Sequence, residues 1–312
     1  MKHFKNLVFT TLMLFTLLLA VPAIARAEGV TMSDCQDDEI TITWEKPSVN
    51  GEIQSYKVYD ENNDTCIAST LSAEATGCVF NQLAKGYVGY WKVVCIYTNG
   101  AGTEYTNIVG YVHVNTTPAQ MSAKSIVIDN VSSDSGRLSF QVAKPDNMTG
   151  TQVQLYQGSK KVASKKFTGE YSSVFSFSCD KVYKYRARTY YVNESTGKTY
   201  YGAWSSCKYF DCPTATGTYA SDTRGCKITL KKVSNVSSYV IYVSKNKDSG
   251  FKKTTTVKIT SGKKKTVSIK KIGDSAMKKG TYYYIKIVPK ITVGDSTKTS
   301  EIFSILGFRN PR

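Results

Sequence analysis

The sequence has very little histidine and no closely spaced cysteine pair. Only two histidines occur among 312 residues, and only His113 lies beyond the first 27. The eight cysteines include no Cys-x-x-Cys motif, so a zinc or redox site would need widely spaced thiols. We therefore predict that the protein has no metal site and no cofactor.

Motifs for catalysis are also missing. The sequence contains no Gly-x-Ser-x-Gly, no His-Glu-x-x-His and no glycine-rich phosphate loop. His113 alternates with apolar neighbours, which favours a core-edge or surface position over a general base. The acidic run 37–39 falls in a predicted turn, whereas glycoside hydrolysis needs paired carboxylates in a cleft between rigid elements. We predict that the protein is not an enzyme and has no catalytic residues.

Long apolar runs are absent except at the N-terminus. Two lysines precede an apolar stretch over residues 7–24, and Ala-Arg-Ala at 25–27 forms a small-x-small cleavage site. This order is typical of a signal peptide, here residues 1–27. The alternative is an uncleaved membrane anchor, which Pro22 and the cleavage site disfavour. We expect a secreted protein, extracellular or bound at the cell surface, with no integral membrane span after cleavage.

The sequence does contain repeated alternation of apolar and polar residues. Examples are residues 40–44, 138–142 and 239–243. Clusters of Gly, Pro, Asn and Asp separate these runs. No run with helical periodicity follows the apolar N-terminus. Half-buried strands alternate in this way, and short strands at this spacing indicate a sandwich or barrel. The sequence therefore predicts an all-β fold.

The same order of features occurs three times along the chain. The repeat is roughly 95 residues, the size of one sandwich. Boundaries fall near 117–118 and 212–213. The predicted domains are residues 28–117, 118–212 and 213–312.

These features resemble fibronectin type III domains. In the first domain the resemblance rests on the strand containing Trp44, the strand at 55–59 and the turn at 99–102. In the second domain, the strand at 183–190 followed by Ala-Trp-Ser at 203–205 is similar to the form common in exported proteins of Gram-positive bacteria.

The third domain shows the same resemblance through residues 238–242 and 280–284. It lacks the tryptophan that Trp44 supplies in the first domain, so an immunoglobulin-like domain stays open there. The resemblance implies three tandem fibronectin type III or immunoglobulin-like β-sandwiches. It also implies a binding, adhesion or spacer protein.

Eight cysteines in an exported protein favour disulfides. The strand map that the resemblance implies gives three candidate pairs and one open pair: Cys35–Cys95, Cys66–Cys78, Cys179–Cys207 and, left open, Cys212–Cys226. The last pair stays open because its members fall at opposite ends of a predicted hairpin. A disulfide needs Cα atoms within about 7 Å.

Charge is distributed unevenly among the domains. Residues 28–117 hold 4 basic and 12 acidic side chains, whereas residues 213–312 hold 21 basic and 5 acidic ones. A strongly cationic domain attracts anionic polymers such as wall polymers, although lysines also protect strand edges from aggregation. The candidate anion-binding residues are Lys252, Lys253, Lys263, Lys264, Lys265, Lys270, Lys271, Lys278 and Lys279.

The expected partner is a protein or an anionic polysaccharide or cell-wall polymer. Arginine is scarce in the third domain, and alternate members of the run 282–284 must face the core, which argues against nucleic acid. An alternative is an accessory or inhibitor protein that binds another protein through loops 46–52 and 99–104. The acidic first and basic third domains also allow self-association.

Overall fold

The computed structural model describes residues 29–132, 135–143, 145–179, 181–213, 215–219, 225–259 and 264–310. In these ranges the regular structure is β-strand, apart from one 3₁₀ turn at Ala123–Ser125. The predicted all-β fold is confirmed. The predicted signal peptide, residues 1–27, and the candidate Lys263 lie outside the described residues.

The first sandwich has two antiparallel sheets. Its strands are β1 (Val30–Cys35), β2 (Ile40–Trp44), β3 (Glu52–Asp60), β4 (Thr65–Ser72), β5 (Gly77–Phe80), β6 (Val88–Thr98) and β7 (Glu104–Asn115). One sheet has the order β1-β2-β5 and the other β4-β3-β6-β7. Alternation along β2 places Ile40, Ile42 and Trp44 in the core, as the sequence predicts.

The chain forms two compact units. The first contains the described residues up to Pro118 together with Val192–Tyr200, and the second contains the rest. In the first unit, the carboxamide of Asn193 is buried and its Nδ2 donates hydrogen bonds to the backbone oxygen of His113 (2.8 Å) and to Asn115 Oδ1 (2.9 Å). Residues 192–200 are therefore attached to the end of β7 by buried polar contacts.

Two further sandwiches follow in the chain, largely within the second unit, and the first of these two has eight strands. They are β8 (Ile126–Ser132), β9 (Arg137–Val142), β10 (Gly150–Gln157), β11 (Lys160–Phe167), β12 (Phe175–Ser176), β13 (Tyr183–Val192), β14 (Thr199–Tyr201) and β15 (Lys208–Phe210). The sheets have the orders β12-β9-β8 and β11-β10-β13-β14, with β15 also paired to β13. Phe140, Tyr185 and Phe210 are buried between them.

The last sandwich is the basic one. Its strands are β16 (Ala215–Tyr219), β17 (Cys226–Lys231), β18 (Val236–Ser244), β19 (Lys252–Lys258), β20 (Lys264–Ile269), β21 (Lys271–Ile272), β22 (Ser275–Ala276), β23 (Tyr282–Val293), β24 (Ser296–Thr299) and β25 (Ser304–Arg309). The sheets are β16-β17-β20 and β19-β18-β23-β24, with β25 also on β23 and a small β21-β22 hairpin. Tyr283 is fully buried whereas Tyr282 is 48% exposed, which confirms the alternation predicted for 282–284.

The predicted disulfides are not confirmed. Six thiols are free, and each predicted pair includes at least one of them: Cys35, Cys66, Cys78, Cys95, Cys207 and Cys226. In the first sandwich, Cys66 lies on β4 and Cys78 on β5, and these strands belong to different sheets instead of being neighbours.

Strand register explains why Cys35 and Cys95 do not meet. The thiol of Cys35 accepts a hydrogen bond from Asn115 Nδ2 (3.5 Å) at the end of β7. Cys95 on β6 pairs across the sheet with Asn107, which lies on β7 like Asn115. Eight residues separate Asn107 from Asn115, which is roughly 25 Å of extended strand.

Register also separates Cys179 from Cys207. Tyr183 pairs with Phe210, so the segment before β13 lies beside the segment after β15. Cys179 and Cys212 accordingly line the same cleft of about 740 Å³, and Cys207 lies further along the strand pair. In the last sandwich Cys226 pairs with Tyr219 at the far end of the β16-β17 hairpin from Cys212, as the sequence suggests.

The buried thiol of Cys226 will resist alkylation. Burial raises its pKa to about 12, so at pH 8 it holds roughly 1,000-fold less thiolate than an ordinary cysteine. The pKa of the Cys226 thiol is higher in the folded protein than in the unfolded chain. Its contribution to the free energy of unfolding is therefore complete below the ordinary pKa of a cysteine and is lost as pH rises towards 12. Mass spectrometry after iodoacetamide treatment of the reduced protein measures the rate. If Cys226 is alkylated at a rate within tenfold of that of the exposed Cys66, the prediction is wrong.

Candidate anion-binding site

The lysine doublets of the third sandwich do not form one patch. Lys252 lies across from Val243 and Lys253 across from Tyr242, so the two side chains point to opposite sides of the sheet. Consecutive lysines on any strand are separated in the same way. Net charge therefore does not show which lysines act together.

A cleft of about 500 Å³ brings three lysines to one place. Its charged lining residues are Lys245, Lys252 and Lys278, and its polar lining includes the hydroxyls of Ser244 and Tyr283. We call it the lysine cleft. Lys252 and Lys278 are predicted candidates. Lys245 was not among the predicted candidates, although its place directly after the alternating run of β18 was a usable signal.

Several segments build the lysine cleft, and Lys278 and Tyr283 come from the segment after β22 and from β23. The end of β18 and the turn after it form one wall, the start of β19 forms another, and the β21-β22 hairpin contributes Ile272, Ser275 and Ala276. Gly250 has a φ of +67°, a left-handed conformation that suits glycine and lets the turn lead back into β19.

Hydrogen bonds hold the cleft walls in place. Ser244 Oγ accepts from the amide of Asn246 (2.9 Å) and donates to the carbonyl of Ser249 (2.6 Å). The hydroxyl of Tyr283, a core residue, accepts from the amide of Lys278 (2.8 Å). These three bonds position the backbone, and the three lysines stay exposed.

The lysine cleft carries unneutralised positive charge. Among the ion pairs of the described residues, none involves Lys245, Lys252 or Lys278. Asp248 and Asp274 lie in exposed turns nearby in sequence, but neither lines the cleft. Three lysines that line one cleft attract anions more strongly than the same charges scattered over the surface.

The remaining candidates within the described ranges lie elsewhere on the sandwich. Lys264 pairs with Lys231 on the β17-β20 pair, and Lys265 Nζ donates to the backbone oxygen of Lys258 (2.8 Å). Lys253, Lys270, Lys271 and Lys279 are exposed and do not line the cleft. These lysines add to the overall field and supply control positions for mutagenesis.

The first sandwich offers a different kind of surface. His113 Nε2 lies 3.5 Å from Glu194 Oε2, and the His113 ring packs 4.5 Å from that of Tyr90. In the loop 99–104, Asn99 Oδ1 accepts from two backbone amides at 3.0 Å, which holds an exposed turn in shape. Within the described ranges there is no group of three or more His, Cys, Asp or Glu suited to a metal, and no helix long and apolar enough to cross a membrane.

The first sandwich has a match among known domain families. Residues 25–109 match the family described as Fibronectin type III domain. The match covers the first sandwich up to the middle of β7. Domains of this family are generally non-catalytic, and tandem copies are typical of binding, adhesion or spacer proteins. No match was found among curated protein sequences.

Solved structures give distant matches. The FN1–FN3 domains of chicken CNTN1 are similar with 12% identity and a TM-score of 0.29, covering 92% of this chain and 98% of that one. A segment of two fibronectin type III domains from chicken tenascin has 8% identity and a TM-score of 0.30, covering 59% and 98%.

Proposed function

We propose that this is an exported, non-catalytic binding or spacer protein whose third sandwich associates with anionic cell-surface polymers at the lysine cleft. The observation that carries the proposal is the convergence of Lys245, Lys252 and Lys278 on one cleft that no carboxylate lines. The charge gradient along the chain supports it, because residues 213–312 carry most of the excess positive charge.

Export and domain organisation belong to the same proposal. The signal peptide at 1–27 places the mature protein outside the cytoplasm. The three domains at 28–117, 118–212 and 213–312 then present the cationic sandwich at one end of the chain. An anionic cell-wall polymer or acidic polysaccharide is the partner that matches this charge.

Lysine determines the character of the binding. An ammonium group is a compact, strongly hydrated charge without the planar fork of arginine. We therefore expect loose selectivity among polyanions and strong dependence on salt. Binding should be strongest at low ionic strength and fall steeply near physiological salt, where the Debye length is about 8 Å.

Replacing the three cleft lysines tests the proposal. The variant K245Q/K252Q/K278Q should bind an anionic wall polymer or heparin roughly tenfold or more weakly at low salt. Two charges 4 Å apart in water interact by about 1 kcal/mol, and three such contacts are lost. Titration of binding across a salt series should also show a slope of log K against log salt that is smaller by about 2.

The matched control is K227Q/K231Q/K264Q. It removes the same charge from exposed positions on β17 and β20, so it should weaken binding much less. Equal loss in both variants would show that only net charge matters and would overturn the site. Binding that does not respond to salt, or no binding at low salt, would reject the electrostatic function altogether.

A further inference from the structure

A second basic surface lies on the second sandwich and is built on arginine. The guanidinium carbon of Arg186 lies 4.4 Å from the ring centre of Trp204 and 5.3 Å from that of Tyr156. The guanidinium carbon of Arg188 lies 3.8 Å from the ring centre of Tyr201 and 4.3 Å from that of Trp204. We call these five residues the arginine ladder.

Two lysines extend the ladder at its ends. Lys184 Nζ is 5.3 Å from the centre of the Tyr156 ring, and Lys166 Nζ is 4.8 Å from the centre of the Tyr201 ring. Each of the three ladder rings, including Trp204, therefore contacts two cations. Cation–π contacts keep the charged groups ordered along one line.

Strand alternation explains the arrangement. On β13, Tyr183, Tyr185 and Ala187 are buried in the core, so the intervening residues face outwards. The outward residues are Lys184, Arg186 and Arg188. Alternate residues of a strand are about 6.6 Å apart. The surface thus presents three cations at a regular spacing.

Neutral groups orient the guanidinium groups. Gln154 Oε1 accepts from Arg186 Nε (3.1 Å) and Nη2 (2.9 Å), and Gln152 Oε1 accepts from Arg188 Nε (2.8 Å). A carboxamide fixes the geometry of an arginine without cancelling its charge.

The ladder is not neutralised by carboxylates. None of the ion pairs among the described residues includes Lys166, Lys184, Arg186 or Arg188. Burial lowers the pKa of Arg188, and the neighbouring charge of Arg186 lowers it further. An anion bound beside the two guanidinium groups would offset this repulsion.

We propose that the arginine ladder is a second anion site, which takes successive phosphate groups of a linear phosphodiester polymer without bases. Arginine suits phosphate because its guanidinium keeps further N–H donors: Arg186 Nη2 also donates to the Tyr156 hydroxyl (2.9 Å), but Nη1 of Arg186 and both Nη groups of Arg188 are not used by these glutamines or by Tyr156. The spacing of alternate β13 residues, about 6.6 Å, is comparable with one three-carbon phosphodiester repeat. Bases and sugar rings fit less well, because stacking needs free ring faces and each ladder ring already contacts two cations.

This site is independent of the lysine cleft and lies on another sandwich. It should be more selective, since it uses oriented forks in place of hydrated ammonium groups. The two sites can be tested separately, because neither shares a residue with the other.

The experiment uses the full chain with the lysine cleft already removed by K245Q/K252Q/K278Q. A poly(glycerol phosphate) chain is the probe, and emission from Trp204 reports binding, because the other two tryptophans, Trp44 and Trp91, are buried. Adding R186Q/R188Q should weaken binding at least tenfold and reduce the salt slope by about 1.4, from two phosphate contacts. The variant R186K/R188K keeps the charge but loses the fork, so it should remain at least threefold weaker than the parent.

The control K124Q/K160Q removes two exposed charges from the same sandwich and should change binding less than twofold. If R186Q/R188Q loses its cooperative thermal transition, K166Q/K184Q at the ladder ends replaces it, with an expected loss of about threefold. Unchanged binding in a folded ladder variant overturns the proposal. Tighter binding of heparin or of single-stranded DNA than of the phosphodiester chain overturns the assigned ligand.

Discussion

Replacing Trp91 with alanine should lower the free energy of unfolding of the first sandwich by about 3–5 kcal/mol. Trp91 lies on β6 and is 1% exposed. Its ring packs 4.5 Å from that of Phe80 on β5, which belongs to the opposite sheet. The indole therefore fills the space between the two sheets, and its removal leaves a cavity there.

The indole also takes part in a hydrogen-bond chain. Trp91 Nε1 donates to the Tyr87 hydroxyl (3.0 Å), which in turn donates to Asp60 Oδ2 (3.3 Å). The variant W91F keeps most of the buried ring but removes the donor, so it should cost less than W91A. Natural domains are stable by about 5–15 kcal/mol, so W91A removes a large part of that stability.

Urea unfolding followed by far-ultraviolet circular dichroism measures the effect. The control V79A changes a residue that is 50% exposed on β5 and should shift the transition very little. If W91A unfolds in the same urea range as the parent protein, Trp91 does not bridge the sheets as described.

Replacing Asn193 with alanine should release residues 192–200 from the first unit. The carboxamide donates to the backbone oxygen of His113 and to Asn115 Oδ1, and its own Oδ1 accepts from the amide of Thr196 (3.0 Å). Alanine removes the partners of the buried Asn115 carboxamide and of two part-buried backbone groups. Each unsatisfied buried polar group costs about 1–3 kcal/mol, and we expect a total of about 2–4 kcal/mol.

Hydrogen exchange at the Thr196 amide gives a local measurement, because that amide donates directly to Asn193. Limited proteolysis within 192–200 should also become faster. The control S195A removes one bond, from the His113 amide to Ser195 Oγ (2.8 Å), and should cost about 1 kcal/mol. If N193A exchanges at Thr196 no faster than S195A does, the carboxamide does not hold the segment.

Local patterns were enough to predict the strands. The runs at 40–44 and 282–284 alternate in the sequence, and the structure buries alternate members of each. This succeeds because alternation is a property of a single strand, which needs no knowledge of its partners. The tandem sandwich fold follows from several such strands separated by turns.

Pairwise contacts were much harder to predict. Cys66 and Cys78 look like neighbours in the chain, yet their strands join different sheets. Cys35 and Cys95 both lie in the predicted strands, but register places them at different ends. A shift in the pairing of two strands changes every cross-strand partner. The sequence of one strand does not specify its register against its neighbour.

The candidate site was only partly predicted, because strand register also decides which lysines come together. Lys252 and Lys278 were among the predicted lysines, whereas Lys245 was not, and the other candidates in the described ranges do not line the cleft. The arginines of β13 were visible as an alternating run, but their contacts with Trp204 depend on a segment that follows the strand.

The sequence by itself determined the all-β class, the alternating burial and the gradient of charge, because composition and period are local properties. The tertiary structure decided which cations act together. Neighbouring lysines such as Lys252 and Lys253 point to opposite sides of a strand, so a group of like charges forms only where turns and strand register bring distant residues together. The lysine cleft and the arginine ladder are both products of that register.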